Sequence, residues 1–92
     1  MQYQYKTSFA QTIKKLTAPR KIKVKEAIQK LVIFFETGQK TKGLGLKKLQ
    51  RDFWELRIDL KERIIFRLKG DLVEFVVTGS HDEIKHYLKS IS

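Results

Sequence analysis

The sequence predicts an α+β fold: a mostly antiparallel four-stranded sheet with a helical pair on one face and a C-terminal helix. Three observations predict it. Residues 53–78 contain three runs of period-two alternation separated by the short breaks LKE and KGD, which is the pattern of antiparallel hairpins. Residues 8–37 space their apolar side chains three and four apart, as amphipathic helices do. The final SHDEIKHYLKSIS returns to helical spacing. The order is therefore β-α-α-β-β-β-α in a single domain, residues 1–92, since a chain of 92 residues has no room for two domains.

Each element has its own signals. Tyr3, Tyr5 and Thr7 alternate with Gln2, Gln4 and Lys6 in a short first strand. Ser8 and Gln11 have capping-box spacing, and Phe9, Ile13 and Leu16 follow at helical intervals. Thr17-Ala18-Pro19 ends that helix, because proline disfavours a helical residue before it and suits the start of the next. Val24, Ile28, Leu31, Val32 and Phe35 form the stripe of the second helix, Gly38 is placed to cap it, and Lys21, Lys23, Lys25 and Lys30 lie opposite. Residues 38–51, GQKTKGLGLKKLQR, read as a mobile basic loop with Lys40, Lys42, Lys47, Lys48 and Arg51. Its glycine and lysine order fits neither a P-loop nor a dinucleotide fingerprint. Strands follow at about 53–59, 63–69 and 72–78. Ser80 and Glu83 then make a second capping box, ahead of the stripe Ile84, Tyr87, Leu88 and Ile91.

Composition narrows the chemistry. Hydrophobic residues at 41% fit a packed domain and argue against disorder. The chain has no cysteine, so disulfides, thiolate catalysis and cysteine-based zinc sites are excluded, and two histidines make no metal cage. No cofactor is expected. MQYQYKTSF lacks the basic-then-apolar order of a signal peptide. The longest apolar run, Leu31–Phe35, is too short for a bilayer, so the cytoplasm is the expected compartment. The net charge is +10, and it is segregated: residues 1–51 hold thirteen Lys or Arg against two acids, residues 52–92 seven against eight. Such a cationic half points to a polyanionic partner, nucleic acid first and an acidic protein next, against a merely solubilising surface.

The two faces of the sheet differ sharply. Trp54, Leu56, Ile58, Ile64, Phe66, Leu68, Val73, Phe75 and Val77 fall on one, to be covered by the helical pair. Glu55, Arg57, Asp59, Arg63, Arg67, Glu74 and Thr78 fall on the other, which is expected to face solvent. Neighbouring strands lie roughly 5 Å apart, so these side chains share one field. Either they form a cross-strand ion-pair ladder, or the arginine forks grip phosphate. His81 stands where the last strand gives way to the last helix. Imidazole ordinarily titrates at about 6.5 and so exchanges protons near neutrality. Beside arginines, it suits RNA cleavage by the ribose 2′-hydroxyl, a reaction that needs a base, a cation for the phosphorane and an acid for the leaving oxygen. A helix-start histidine satisfied by water is the plainer reading, and His86, off the apolar stripe, is read as surface.

The element order, the basic helical pair, GLGLKKLQRDFWELRI, the RIIF strand and TGSHDEIKHYL together resemble the RelE/ParE superfamily of toxin–antitoxin toxins. Within it, the likeness is to the ribosome-dependent mRNA endonucleases, RelE-like and YoeB-like. The resemblance implies that Arg63, before Ile64-Ile65-Phe66, contacts the scissile phosphate and that Arg57 is a basic catalytic residue on the preceding strand. Glu55 matches a position that is lysine in RelE-like members, which leaves it as base or as partner of Arg57. His81 matches the arginine or histidine placed near the reacting phosphate. Tyr87 matches a tyrosine that stacks on RNA, although it also lies on the apolar stripe of its helix. The glutamate of YoeB-like members is replaced by Leu44-Gly45-Leu46. Lys47 and Lys48, with Arg51 and Arg67, are the expected RNA-binding set. The implied partners are ribosome-bound mRNA, rRNA and a cognate antitoxin. A ParE-like gyrase inhibitor and a non-catalytic nucleic-acid-binding module are the rival readings.

Overall fold

The computed structural model describes residues 1–91. Its sheet has five strands, one more than the sequence predicts: β1 (Gln2–Tyr5), β2 (Gly45–Lys48), β3 (Phe53–Arg57), β4 (Glu62–Lys69) and β5 (Leu72–Ser80), in the order β1-β5-β4-β3-β2. Only the β1–β5 pair is parallel. The extra strand is β2, inside the stretch read as a mobile loop. Leu46 there pairs opposite Leu56, and Leu44 just before it is buried. Apolar residues alternating with glycine and lysine thus close a hairpin onto β3, where the glycines alone suggested a linker.

Helices α1 (Thr7–Lys14) and α2 (Ala18–Thr37) carry the chain from the β1 edge to the β2 edge across one face. Phe9, Val24, Ala27 and Leu31 pack there on Leu56, Ile64, Phe66, Val73 and Phe75. The Ser8 capping box does not form: α1 begins at Thr7, Lys6 is its cap residue, and the Ser8 hydroxyl donates to the Val76 carbonyl at 2.6 Å. At α2 the caps are as read. The Thr17 side chain accepts from the Arg20 amide, and Gly38 ends the helix at φ 76°. A side chain at Gly38 would meet no atom within 4 Å, so its only cost is the left-handed backbone. Gly38→Ala is expected to lower unfolding free energy by about 1 kcal/mol in a urea titration.

The opposite face is not open to solvent, which corrects the sequence reading. Helix α3 (His81–Ile91) lies over it, and Ile84, Tyr87 and Leu88 pack on Phe53, Ile65, Val76 and Val77. The fold therefore has three layers, and each face of the sheet has a core. A bulge sets which residues face which layer. Ile65 opposes Val77 while Phe66 opposes Phe75, which leaves Val76 unopposed. The extra residue moves Val77 to the α3 side and Thr78 to the helical-pair side, reversing both sequence assignments. Thr78 then bonds Glu62 and takes its amide partner from the Thr12 hydroxyl. Asp59 also leaves the charged face. β3 ends at Arg57, and the Asp59 carboxylate instead accepts from the Lys61 and Glu62 amides, closing the β3–β4 turn.

Candidate functional site

Register brings the charged side chains together. On the α3 side, one row across the sheet reads Gly45, Arg57, Arg63, Gly79, and the next reads Lys47, Glu55, Ile65, Val77. His81 follows Gly79 by two residues and opens α3. Arg57 and Gly79 are two strand spacings apart, roughly 10 Å, so Arg57 and His81 belong to the same end of the sheet. A side chain at Gly79 would come within 3.2 Å of the Glu83 Cβ. Glycine lets the first turn of α3 sit close on the strand and hold His81 there.

That turn is held by the capping box the sequence predicts. The Ser80 amide donates to Glu83 Oε1 at 3.0 Å, and the Glu83 amide donates to Ser80 Oγ at 3.2 Å. The bonds from Ser80 hold the Glu83 carboxyl below its usual range. A lowered folded-state pKa adds stability that is complete above the unfolded value of about 4.3 and lost as pH falls through the folded one. Glu83→Gln is therefore expected to lower the melting temperature at pH 7. The difference from wild type should narrow as melting is followed from pH 7 down through the lowered folded-state value of the Glu83 carboxyl.

The charges divide into committed and free. Arg63 pairs with Glu55 at 3.4 Å; Glu55 is buried and Arg63 mostly so, with side chains 9% and 12% exposed. Arg67 bonds Asp52, lies 3.9 Å from Glu74 and stacks over the Phe53 ring. Its guanidinium holds the Asp52 carboxyl low. These pairs realise the ion-pair ladder. Arg57, Lys47, Lys48, Lys85 and His81 have no side-chain partner among the described residues.

The predicted site residues are distributed as follows. Lys47, Glu55 and His81 line one cavity of about 230 Å³, together with Leu49, Ile84, Lys85 and Leu88. Arg51, Arg67 and Tyr87 line a second, of about 250 Å³, with Lys6 and Asp52. Both cavities take walls from α3, and Tyr87 does not reach the one containing His81. Arg57, exposed, borders a third hollow beside Lys23 and Lys30. Among the described residues no group of three His, Cys, Asp or Glu side chains is placed to hold a metal ion.

Two residues escaped the sequence reading. Lys85 stands four residues after His81, the interval that puts two helical side chains on one face. Glu62, read as part of a turn, starts β4 and is buried between Arg20, at 2.8 Å, and Thr78. Its signal was parity, since it shares the face of Ile64, Phe66 and Leu68.

No protein-family model and no curated protein sequence matches the chain. Solved structures do. One is the RelB–RelE antitoxin–toxin complex from Methanococcus jannaschii, at 15% identity and TM-score 0.67, covering 91% of this chain and 96% of that one. Another is the E. coli DinJ–YafQ complex, at 18% identity and TM-score 0.70, covering 89% and 94%. A third is a YoeB/ParE toxin from Agrobacterium tumefaciens, at 20% identity and TM-score 0.65, covering 88% and 99%. The chain has the RelE-like toxin fold. The sequence's expectation of that fold is correct, apart from β2. In this RelE-like fold the His81 cavity lies between the β2–β3 hairpin and α3. Lys47 and Lys85 give it a cationic rim.

Proposed function

We propose that this chain is the toxin of a toxin–antitoxin pair, an endoribonuclease that cuts mRNA on the ribosome, stops translation and is neutralised by a cognate antitoxin. The observation that carries the proposal is the His81 cavity. It joins an unpaired imidazole to two unpaired lysines and to the buried Glu55, whose carboxylate pairs with Arg63 outside the cavity lining, with Arg57 free at the same sheet end.

The reaction assigned is transesterification. The ribose 2′-oxygen attacks phosphorus, an O2′–P bond forms and the P–O5′ bond breaks. The products are a 2′,3′-cyclic phosphate and a 5′-hydroxyl. The 2′-hydroxyl loses its proton to a base, and the His81 imidazolium donates one to the leaving O5′. Arg57 and Lys47 face the charge that develops on the non-bridging oxygens. Glu55 is committed to Arg63, so the pair acts as a positioning unit and not as the base. Lys48 and Arg51 extend the phosphate grip, while Arg67 is held by its carboxylates. Tyr87 has a stacking role only in the neighbouring cavity, beside Arg51.

The test is a translation reaction with primer-extension mapping of the mRNA. Wild type is expected to produce discrete, ribosome-dependent cuts that Arg57→Ala reduces by at least tenfold. Intact mRNA from a toxic protein sinks the proposal in favour of a gyrase inhibitor. Intact mRNA without toxicity, and RNA binding that falls steeply with salt, sinks it in favour of a binding module.

A further inference from the structure

We propose that Thr78 is a positioning residue: bonded to Thr12 and to the Arg20–Glu62 ion pair, it locks β5 in its bulged register and so decides where His81 emerges. The consequence for cleavage rests on the nuclease reading above; the lock itself does not.

Two registers compete for the end of β5. With Phe66 held opposite Phe75, unbroken alternation would set Ile65 against Val76, Ile64 against Val77, Arg63 against Thr78 and Glu62 against Gly79. The strand instead carries one extra residue, so that Ile64 faces Thr78, Arg63 faces Gly79 and Glu62 faces Ser80. A bulge gives up regular pairing, and some other contact has to favour it. A slip of one residue would turn Val77 and Thr78 over and carry His81 along the strand by about 3.3 Å. Ser80, which caps α3 through Glu83, would move with it. The first turn of α3 would then leave the Glu55 wall of its cavity.

The favouring contacts meet at Thr78, on the helical-pair side. Its hydroxyl belongs to a residue only 3% exposed, and stands 3.0 Å from Glu62 Oε2 and 2.9 Å from the Arg63 carbonyl oxygen. Its amide donates to the Thr12 hydroxyl at 3.1 Å, and that hydroxyl donates in turn to the Phe9 carbonyl at 2.8 Å. Glu62 Oε1 accepts from Arg20 at 2.8 Å. One threonine thus ties β5 to α1, α2 and β4. Turned toward α3, it would reach none of these partners.

Stability alone does not account for such a group. An apolar set of the same volume would hold the layers together as well or better. What a buried, hydrogen-bonded charge adds is a penalty on any register that strands it. Here the slip would bring Val77 to the place of Thr78 and set a methyl group against Glu62 Oε2. That penalty is the lock, and it stands directly behind the site. Glu62 precedes Arg63 in β4, and Thr78 precedes Gly79 in β5, with each pair of neighbours facing opposite sides of the sheet. A misplacement of His81 by about 1 Å costs about a hundredfold in rate.

The experiment uses the full chain in the mRNA cleavage reaction and, without RNA, in NMR. Thr78→Val removes the hydroxyl and keeps the shape. It is expected to lower kcat by about ten- to a hundredfold with KM within about threefold of wild type, and Thr78→Ser to restore kcat. If Thr78 acts through His81, Thr78→Val combined with His81→Gln is no slower than His81→Gln alone. A general loosening would multiply the two losses. Gly38→Ala, destabilised at the far end of α2, should cleave as wild type does. Should Thr78→Val fail to fold by far-UV CD, Arg20→Met with Glu62→Leu, which strands no charge, takes its place. NMR reads the register itself. Wild type should show cross-strand NOEs between Arg63 and Gly79, and the variant a second set joining Arg63 to residue 78. A wild type that makes no cuts defeats the nuclease reading and leaves NMR to judge the lock. A single, unshifted register in the variant, multiplied losses in the double substitution, or equal slowing by Gly38→Ala overturns the proposal.

Discussion

His81→Gln is expected to slow mRNA cleavage by two to four orders of magnitude, the usual contribution of a positioned general acid. The substitution is close to isosteric, and His81 is exposed at the first position of α3 with no partner to lose among the described residues. Its melting temperature should therefore stay near that of wild type. What the glutamine amide cannot do is release a proton to O5′. This leads to a sharper readout than lost activity. In an mRNA analogue with a bridging 5′-sulfur at the cut site, the leaving thiolate departs without protonation. His81→Gln should cleave that analogue within about tenfold of wild type, because the step the acid assists is no longer costly. A variant that had merely misplaced the substrate would remain slow on both. Full activity of His81→Gln on ordinary mRNA, or no rescue by sulfur, would remove His81 from the acid role.

Much of this arrangement was legible in the sequence, and the parts that were not share a physical cause. Period-two alternation placed Glu55, Arg57, Arg63 and Arg67 on one face correctly, because β3 and β4 run without interruption through those positions. The same rule failed at Thr78 and Val77. A bulge adds one residue to β5 alone, and the parity of everything after it inverts. Nothing in VEFVVT announces the bulge. Its support comes from far away in the chain, from Ser8 donating to the Val76 carbonyl and Lys6 to that of Phe75. The solvent exposure of the charged face failed for a different reason. The stripe Ile84, Tyr87 and Leu88 was visible, but helical spacing says which residues are buried and not against what. The apolar residues on that face, Phe53, Ile65 and Val77, were the clue to where α3 lands. A face with both arginines and buried isoleucine is half core and half site. The half near the start of α3 holds His81 with the unpaired Lys47 and Lys85.

Arg63→Ala is expected to destabilise the fold by about 3 kcal/mol, enough to change the meaning of any activity it loses. Removing one partner of a buried ion pair leaves the other charge desolvated and unpaired, which typically costs about 3–5 kcal/mol. Here the stranded group would be Glu55, 7% exposed and walled in by Lys47 on β2 and Ile65 on β4. The lower end of the range applies because the pair is already imperfect: its contact is 3.4 Å, and Arg63 Nε is buried without a partner. The double substitution Glu55→Gln with Arg63→Met removes both charges and keeps the volume. Urea unfolding should then find it at least 2 kcal/mol more stable than the sum of the single substitutions predicts. Cleavage by the double variant then separates two roles that the single variant confounds. If the pair only positions the cavity wall, a stable double variant retains activity within about tenfold of wild type. If the Arg63 guanidinium reaches the phosphate itself, the loss stays at a hundredfold or more despite restored stability, and Arg63 joins His81 as a catalytic residue. Additive single effects on stability would instead show that the charges do not interact in solution.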